Sequence, residues 1–455
     1  MKSIRCWLAL LGSKLTFRVL RLLGRNASHT PGRVALMVCP GYLAQVPKPA
    51  LTICVTGTNG KTTVTNMIAD VLIHAGYRVS TNRIGSNIVP GVAAALTNAL
   101  AVSGRPSSDA CVLEVDERAC RLVLPQVKPN VLVVTNLFRD SLKRNAYPDF
   151  ILELINANTP AGTKLVLNAD DLCSSQLGSA DPANRTYFGI DQLPEDSTSS
   201  NNVVADYSYC PVCLTKLTYR YLRHHHIGQA YCANCGFESP QADYRLTSVD
   251  RTERTIDITH GSASETYPLV SDTLFNIYNE IAAITALRQV GLTSGQIADA
   301  LASWTVVDSR LNEIPLRQTR LVKAMSKGQS SVSCSQTMDF VRHQSGRKSV
   351  VLIMDDWYDR KHSVEFIGWI YDADFEFLND PDVVQVVATG PRCYDHQVRL
   401  LLAGVAPERI VCSEDELEAW RVIDVSNTDA VFLLYDTSTM HQADKLAEIL
   451  EKADR

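Results

Sequence analysis

Residues 51–75 read LTICVTGTNGKTTVTNMIADVLIHA, and this stretch decides the fold. Leu51–Val55 is a short apolar run with the pattern of a buried strand. Val64, Met67, Ile68, Val71 and Leu72 then recur on one face of a helix. Between them lies Thr56-Gly57-Thr58-Asn59-Gly60-Lys61-Thr62-Thr63. A strand, a Gly-rich turn, Lys-Thr and a helix together form the context of a phosphate-binding loop. The glycines let backbone N–H groups approach phosphate oxygens, and the helix N-terminus contributes roughly half a positive charge. Thr58, Asn59, Gly60, Lys61, Thr62 and Thr63 are therefore the candidate nucleotide-binding residues. Lys61 would reach the β/γ-phosphates and the Thr62 hydroxyl would hold Mg²⁺. The common pattern has glycine five residues before Gly60, where this chain has Val55.

With 455 residues, 45% apolar and 20% charged, the chain has the composition of a soluble globular protein of two to four domains. A net charge of −5 gives no global basic signature for nucleic acid. The 13 cysteines are spread through a long chain, some inside apolar runs, and with an ATP loop they point to a reducing cytoplasm. Residues 1–25 interleave leucines with Lys2, Arg5, Lys14, Arg18, Arg21 and Arg25. Lys14 and Arg18 interrupt any spanning core. Two readings stand: a basic amphipathic helix on an anionic membrane surface, or a helix packing its apolar face on the next domain.

Ala110–Val115 is a further buried strand, ending in Glu114, Asp116 and Glu117. Ligands of parallel sheets gather at strand C-terminal ends, so Glu114 is the first candidate for Mg²⁺, with Asp116 and Glu117 behind it. Strands at Asn130–Thr135 and Lys164–Leu167 end in NLFRD and NADD. The alternation of strands and helices predicts an α/β fold with a mostly parallel sheet. Asn276 and Asn279 open a later helix, where they face the nucleotide base or cap the helix.

Cys210, Cys213, Cys232 and Cys235 form C-x₂-C-x₁₈-C-x₂-C, the spacing of a closed structural Zn²⁺ site. His224, His225 and His226 lie between the pairs and read as a solvated loop, since the four-cysteine set is complete. From about 315 a second α/β unit begins, with strands at Ser349–Met354, Val383–Ala388 and Ala430–Leu434. Asp355 and Asp356 end the first of these, where function collects.

TGTNGKTT, LEVDE, VVTNLFRD, LNADD and FNIYN resemble the central ATPase domain of the Mur ligases, whose phosphate loop also lacks the early glycine. Only about 50 residues precede the loop, which leaves no room for the usual UDP-binding domain. With the cysteine ribbon, GWIYDADFE and TGPRCYDHQVRLLLAGV, the chain resembles the MurT family of that superfamily over residues 35–455. The resemblance implies a central Mur ligase ATPase domain with an inserted zinc ribbon, plus a C-terminal Rossmann-like α/β domain. The expected boundaries are 1–45 for the basic segment, 46–312 for the ATPase domain with its ribbon at about 205–242, and 313–455 for the last domain.

The resemblance also implies a carbon–nitrogen ligase using ATP, Mg²⁺ and Zn²⁺. Its reaction would amidate the α-carboxyl of D-glutamate in the lipid II stem peptide through an acyl phosphate. It would act in the bacterial cytoplasm at the inner face of the plasma membrane. No cysteine lies in a G-x-C-x-G turn, so this chain is not expected to hydrolyse glutamine itself. The resemblance implies a GatD-like glutamine amidotransferase as the source of ammonia, in a heterodimer, with no nucleic-acid partner. An aspartate of the last domain would complete that partner's Cys-His pair: Asp355 or Asp356, then Asp359 or Asp372. Lys61 and Glu114 are the expected catalytic residues of this chain, and Arg310 joins the nucleotide-binding set. The chain departs from the family pattern at Ser141 and Lys143, at Ser309–Glu313, at Lys323–Gln329 and in DDWYDRKHSVEF. Mur ligases carry a metal-ligating histidine at the position of Ser141. The competing readings are an amino-acid-adding ligase of the folylpolyglutamate synthase type and a non-catalytic ATP-binding zinc-ribbon protein.

Overall fold

The computed structural model describes residues 3–83, 86–140, 145, 147–304, 311–317, 319–326, 330–354 and 367–453. They form two compact units: residues 1–138, 148–200 and 206–306, and residues 139–147, 201–205 and 307–455.

The first unit is built on a nine-stranded sheet. Its order is Ala263–Pro268, Thr255–His260, Tyr244–Asp250, Arg185–Ile190, Lys164–Asn168, Val131–Val134, Leu51–Thr56, Ala110–Glu114, Val79–Thr81. Pairing is parallel from Val79–Thr81 through to Tyr244–Asp250 and antiparallel at the far edge. The central strands are continuous Val/Leu/Ile/Cys runs because both of their faces are covered. Cys54, Leu113, Leu132 and Val134 join one core with the helices Val89–Asn98, Cys120–Val127 and Pro148–Asn158. The helices Lys61–His74 and Leu274–Gln289 pack together over the same sheet. From Leu51–Thr56 the chain moves to one side of the sheet, and from Ala110–Glu114 it crosses to the other. Leu51–Thr56 therefore ends at the switch point, where an open α/β sheet leaves a crevice.

The helix Ile4–Leu22 is capped by Ser3, whose Oγ accepts from Cys6 N. It buries Cys6, Ala9, Leu10, Ser13 and Phe17 and packs on Thr30–Val38 and Val89–Asn98. The packing reading of this segment holds for that face. Among the described residues, no helix is long and apolar enough to cross a membrane.

The second unit holds a six-stranded sheet in the order Leu311–Pro315, Arg320–Met325, Ala430–Tyr435, Lys348–Ile353, Val383–Thr389, Ile410–Ser413. All pairings are parallel except the first. Strand alternation sends Val350, Leu352, Phe432 and Leu434 to one core and Val351, Ile353, Val431 and Leu433 to another. Ser331–Arg342 and Cys393–Leu402 cover the first face and Met440–Ala453 the second.

Candidate active site

The loop between Leu51–Thr56 and Lys61–His74 closes on Gly57 and Gly60. Gly57 has φ 130°, and a Cβ there would lie 2.2 Å from Thr135 Oγ1. Gly60 has φ 84°, and its Cβ would lie 2.0 Å from Asn279 Oδ1. Only glycine permits both the left-handed backbone and the close approach. The segment after Val131–Val134 braces the loop: Thr58 N donates to Asn136 O (2.8 Å), Asn59 N to Asn136 Oδ1 (3.0 Å) and Thr135 Oγ1 to Asn59 O (2.6 Å). The first turn of Lys61–His74 starts here, with N–H groups that have no intrahelical acceptor.

Lys61 is buried, and its ammonium donates to the carbonyl oxygens of Gly57 and Thr58 and to Glu117 Oε2 at 3.3 Å. Thr62 Oγ1 donates to Glu114 Oε2 at 2.8 Å. Glu114 is oriented by Asn87, which donates to Oε1 at 3.0 Å, and by Asn82, which pairs with its backbone on both sides. Glu114 and Glu117 thus stand at the loop in different roles, one beside the hydroxyl and one beside the ammonium. Asp116 caps the short helix Glu117–Ala119 through a bond from Arg118 N. Asn276 and Asn279 are buried and joined side chain to side chain, with Asn279 against Gly60. Asn59 Nδ2 and Glu117 Oε1 are buried without a hydrogen-bond partner among the described residues. A donor and an acceptor left over at one loop are what a phosphate and a cation would satisfy.

The two aspartates of LNADD face different neighbours. Asp170 accepts from the Tyr278 hydroxyl (2.7 Å), Arg223 Nη1 (3.0 Å), Ile190 N (3.0 Å), Gln229 Nε2 (2.9 Å) and the Tyr221 hydroxyl (3.2 Å). Asp171 accepts from Leu137 N (2.7 Å) and Cys173 N (2.9 Å) and pairs with His226 Nε2 (3.0 Å). The hairpin Thr218–His224 with Ile227–Tyr231 is thereby tied to the nucleotide unit. This corrects the reading of His224–His226 as a solvated loop. His225 and His226 are buried, and all three rings lie within 5.8 Å of Phe138. Burial pushes His224 down to about 3, so it is neutral at pH 7. Arg223 is buried in ion pairs with Asp170 and Asp196.

The thiol sulfurs of Cys210, Cys213, Cys232 and Cys235 lie within 4.8 Å of one another. Left-handed Leu214 and Gly236 close the two Cys-x-x-Cys turns, with Leu214 N donating to Cys210 O and Gly236 N to Cys232 O. Four sulfurs around one Zn²⁺ at about 2.3 Å would sit roughly 3.8 Å apart, so the set fits that ion.

In the second unit Asp372 pairs with Arg139 at 3.3 Å. Asp374 is fully buried and accepts from Asn202 Nδ2 and Val203 N. His396 Nε2 lies 2.9 Å from Met354 O, the residue before Asp355. Asp355, Asp356, Asp359, Arg310, Ser141 and Lys143 lie outside the described residues.

The family model described as Mur ligase middle domain matches residues 55–210, and the one described as MurT ligase C-terminal matches residues 329–440. The chain is 30% identical over 410 residues to a Staphylococcus aureus protein named lipid II isoglutaminyl synthase (glutamine-hydrolyzing) subunit MurT, covering 90% of both chains. A Streptococcus pneumoniae protein of the same name is 27% identical over 96% of both. Among solved structures, a pseudomurein peptide ligase type C from Methanothermus fervidus superposes with TM-score 0.67 at 18% identity, covering 89% of this chain and 79% of that one. MurF from Acinetobacter baumannii gives 0.61 at 15% identity, covering 92% and 80%; both likenesses show the Mur ligase-like α/β fold. With both halves matched and 30% identity across nine-tenths of its length, the chain belongs to the MurT family of Mur ligase-like enzymes.

Proposed function

We propose that this chain is the ATP-dependent synthetase subunit that amidates the α-carboxyl of D-glutamate in the stem peptide of lipid II, with ammonia supplied by a GatD-like glutaminase subunit. The observation that carries the reading is the identity with the two MurT subunits over nine-tenths or more of the chain, joined to an intact phosphate-loop geometry. Gly57 and Gly60 let the loop turn tightly against Thr135 and Asn279, and the first helical turn supplies N–H donors. Thr62 and Glu114 would hold Mg²⁺, while Glu117 keeps one oxygen on Lys61 and one without a partner among the described residues. When bound, MgATP supplies the phosphoryl group that turns the substrate carboxylate oxygen into a leaving group, giving an acyl phosphate. Lys61, held on two carbonyl oxygens and Glu117, stabilises negative charge developing on the transferred group. Attack of ammonia on the acyl carbon then expels phosphate and leaves the amide. Asn276 and Asn279 hold the loop at Gly60.

In the same reading the four cysteines hold a structural Zn²⁺ and the hairpin is a ribbon inserted in the ATPase domain. The second unit is a Rossmann-like domain that docks the glutaminase, and Asp355 or Asp356 completes its catalytic set. The test is a mass and ADP assay on lipid II with ammonium chloride, then with glutamine, each with and without a GatD-like partner. A loss of about one mass unit with ammonium alone, and with glutamine only when the partner is present, supports the assignment. ATP turnover that requires an added amino acid would move the chain to an amino-acid-adding ligase. No acceptor-dependent turnover would leave an ATP-binding protein without ligase chemistry.

A further inference from the structure

The helix Ile4–Leu22 has two apolar faces, and only one is covered. Cys6, Ala9, Leu10, Ser13 and Phe17 are buried. At 100° per residue, Ile4, Leu8, Leu11, Leu15, Val19 and Leu22 fall on the opposite side. Of these, Ile4 is 81% exposed, Leu8 51%, Leu15 63%, Val19 46% and Leu22 87%, and Leu23 continues the stripe at 64%. The stripe runs about 27 Å along the helix. Arg5, which donates to Val38 O, borders it on one side and Lys14 and Arg21, the latter over the Phe17 ring, on the other, with Arg18 at its edge and Arg25 just beyond its end. The charge around it is of one sign. Residues 1–69 contain Lys2, Arg5, Lys14, Arg18, Arg21, Arg25, Arg33, Lys48 and Lys61 and no acidic residue before Asp70, although the whole chain carries −5.

We propose that this face lies on the surface of an anionic lipid bilayer, with the leucine stripe in the acyl boundary and the flanking guanidinium groups at the lipid phosphates. Charge selects this occupant: a second copy would bring the same arginines against each other, whereas an anionic bilayer presents a plane of opposite sign to a straight apolar stripe. The buried face stays on the nucleotide unit, so the helix lies in the surface and does not cross it. The proposal stands independently of the ligase reading, because it requires no substrate.

The test is co-sedimentation of the full chain with phosphatidylcholine vesicles, with and without about 30% phosphatidylglycerol. Expected is binding to the anionic vesicles, weak binding to the neutral ones, and release as salt is raised. L8E/L15E and R18E/R25E should each lower the partition coefficient by at least about tenfold, with an unchanged melting temperature because the altered side chains are solvent-facing. Equal binding by both variants, or no preference for anionic vesicles by the unaltered chain, overturns the proposal. So does a dimer in light scattering that L8E/L15E splits, which would assign the face to a second copy. Salt dependence of the unaltered chain tests the idea without any variant.

Discussion

Replacing Asp170 by asparagine keeps shape and volume while removing one charge and one acceptor edge. The Asp170 carboxylate serves five donors, from Tyr221, Gln229, Ile190, Arg223 and Tyr278. The amide cannot place its NH₂ on the side of Ile190 N and Arg223, since neither can accept. It must face Tyr221, whose hydroxyl can turn, and Gln229, which would have to flip away from Pro240 O. Arg223 then keeps only Asp196 as a charged partner. Breaking a buried pair outright costs about 3–5 kcal/mol, and the surviving Asp196 contact reduces this to roughly 2–3. At about 2 °C or more per kcal/mol for a unit of this size, the full chain should melt roughly 4–8 °C lower by scanning fluorimetry. Tyr278 lies between Asn276 and Asn279, so nucleotide affinity should also weaken by roughly 2- to 30-fold. The control is Glu238→Gln, which breaks the exposed Arg220–Glu238 pair and should cost under about 1 kcal/mol. A shift for D170N no larger than that of the control would refute the docking argument.

Gly60→Ala forces a Cβ onto Asn279 at a φ of 84° and should lower ATP affinity about tenfold or more, measured by calorimetry. Glu114→Gln weakens the cation site beside Thr62 and should slow acceptor-dependent ADP release about 10²-fold or more, while melting stays near that of the parent chain. Elemental analysis should find one zinc per chain in the parent and less than half of that in Cys210→Ser; a zinc-free parent that melts normally would remove the ribbon assignment. Burial pushes Glu280 up to about 8, and its Oε2 accepts from Val270 N. The folded state then holds a proton that the unfolded state has lost above about 4.5, so this group's contribution falls as pH rises toward 8, at on the order of 1 kcal/mol per unit. Glu280→Gln keeps the acceptor for Val270 and should gain stability over the parent progressively between pH 5 and about 8 in denaturant titrations; parallel pH profiles would contradict this.

The phosphate loop and the cysteine pairs were readable because their chemistry is local. Glycine, Lys-Thr and Cys-x-x-Cys each specify a turn within eight residues, and the apolar runs beside them are buried on both faces. The antiparallel edge Tyr244–Asp250, Thr255–His260 and Ala263–Pro268 escaped notice because its strands alternate Thr, Arg, Asp and Ser with few apolar residues. Lys323, the first residue of the Lys323–Gln329 departure from the family pattern, lies on the sheet strand Arg320–Met325, where it pairs with Asp444 over the Tyr435 ring. The polar network is legible only in three dimensions, since Tyr278 meets Asp170 across 108 positions of sequence. Asn82 and Asn87 aim Glu114 from about 30 positions upstream, so no local pattern marks them. His224–His226 were misplaced for the same reason: the surfaces that bury them, Phe138 and Asp171, come from distant strand ends.

Those strand ends also hold the hairpin of residues 218–231 in place. Asp170 and Asp171 are neighbours on one strand tip, and their side chains serve opposite neighbours. Asp170 gathers the hairpin's Tyr221, Arg223 and Gln229 together with Tyr278 from the helix that backs Gly60. Asp171 takes Leu137 N, next to the Asn136 that braces Asn59, and pairs with the hairpin's His226. The hairpin is therefore bonded, through two adjacent carboxylates, to both elements that hold the phosphate loop. Four thiolates that gather the open ends of its two strands around a metal would stiffen the end of the hairpin far from its His225–His226 turn. On this geometry a metal on the cysteine cluster would act on nucleotide binding through positioning, by limiting the motion of the Asp170 and Asp171 partners. Losing the metal should then raise the apparent dissociation constant for ATP while leaving Lys61 and Glu114 in place.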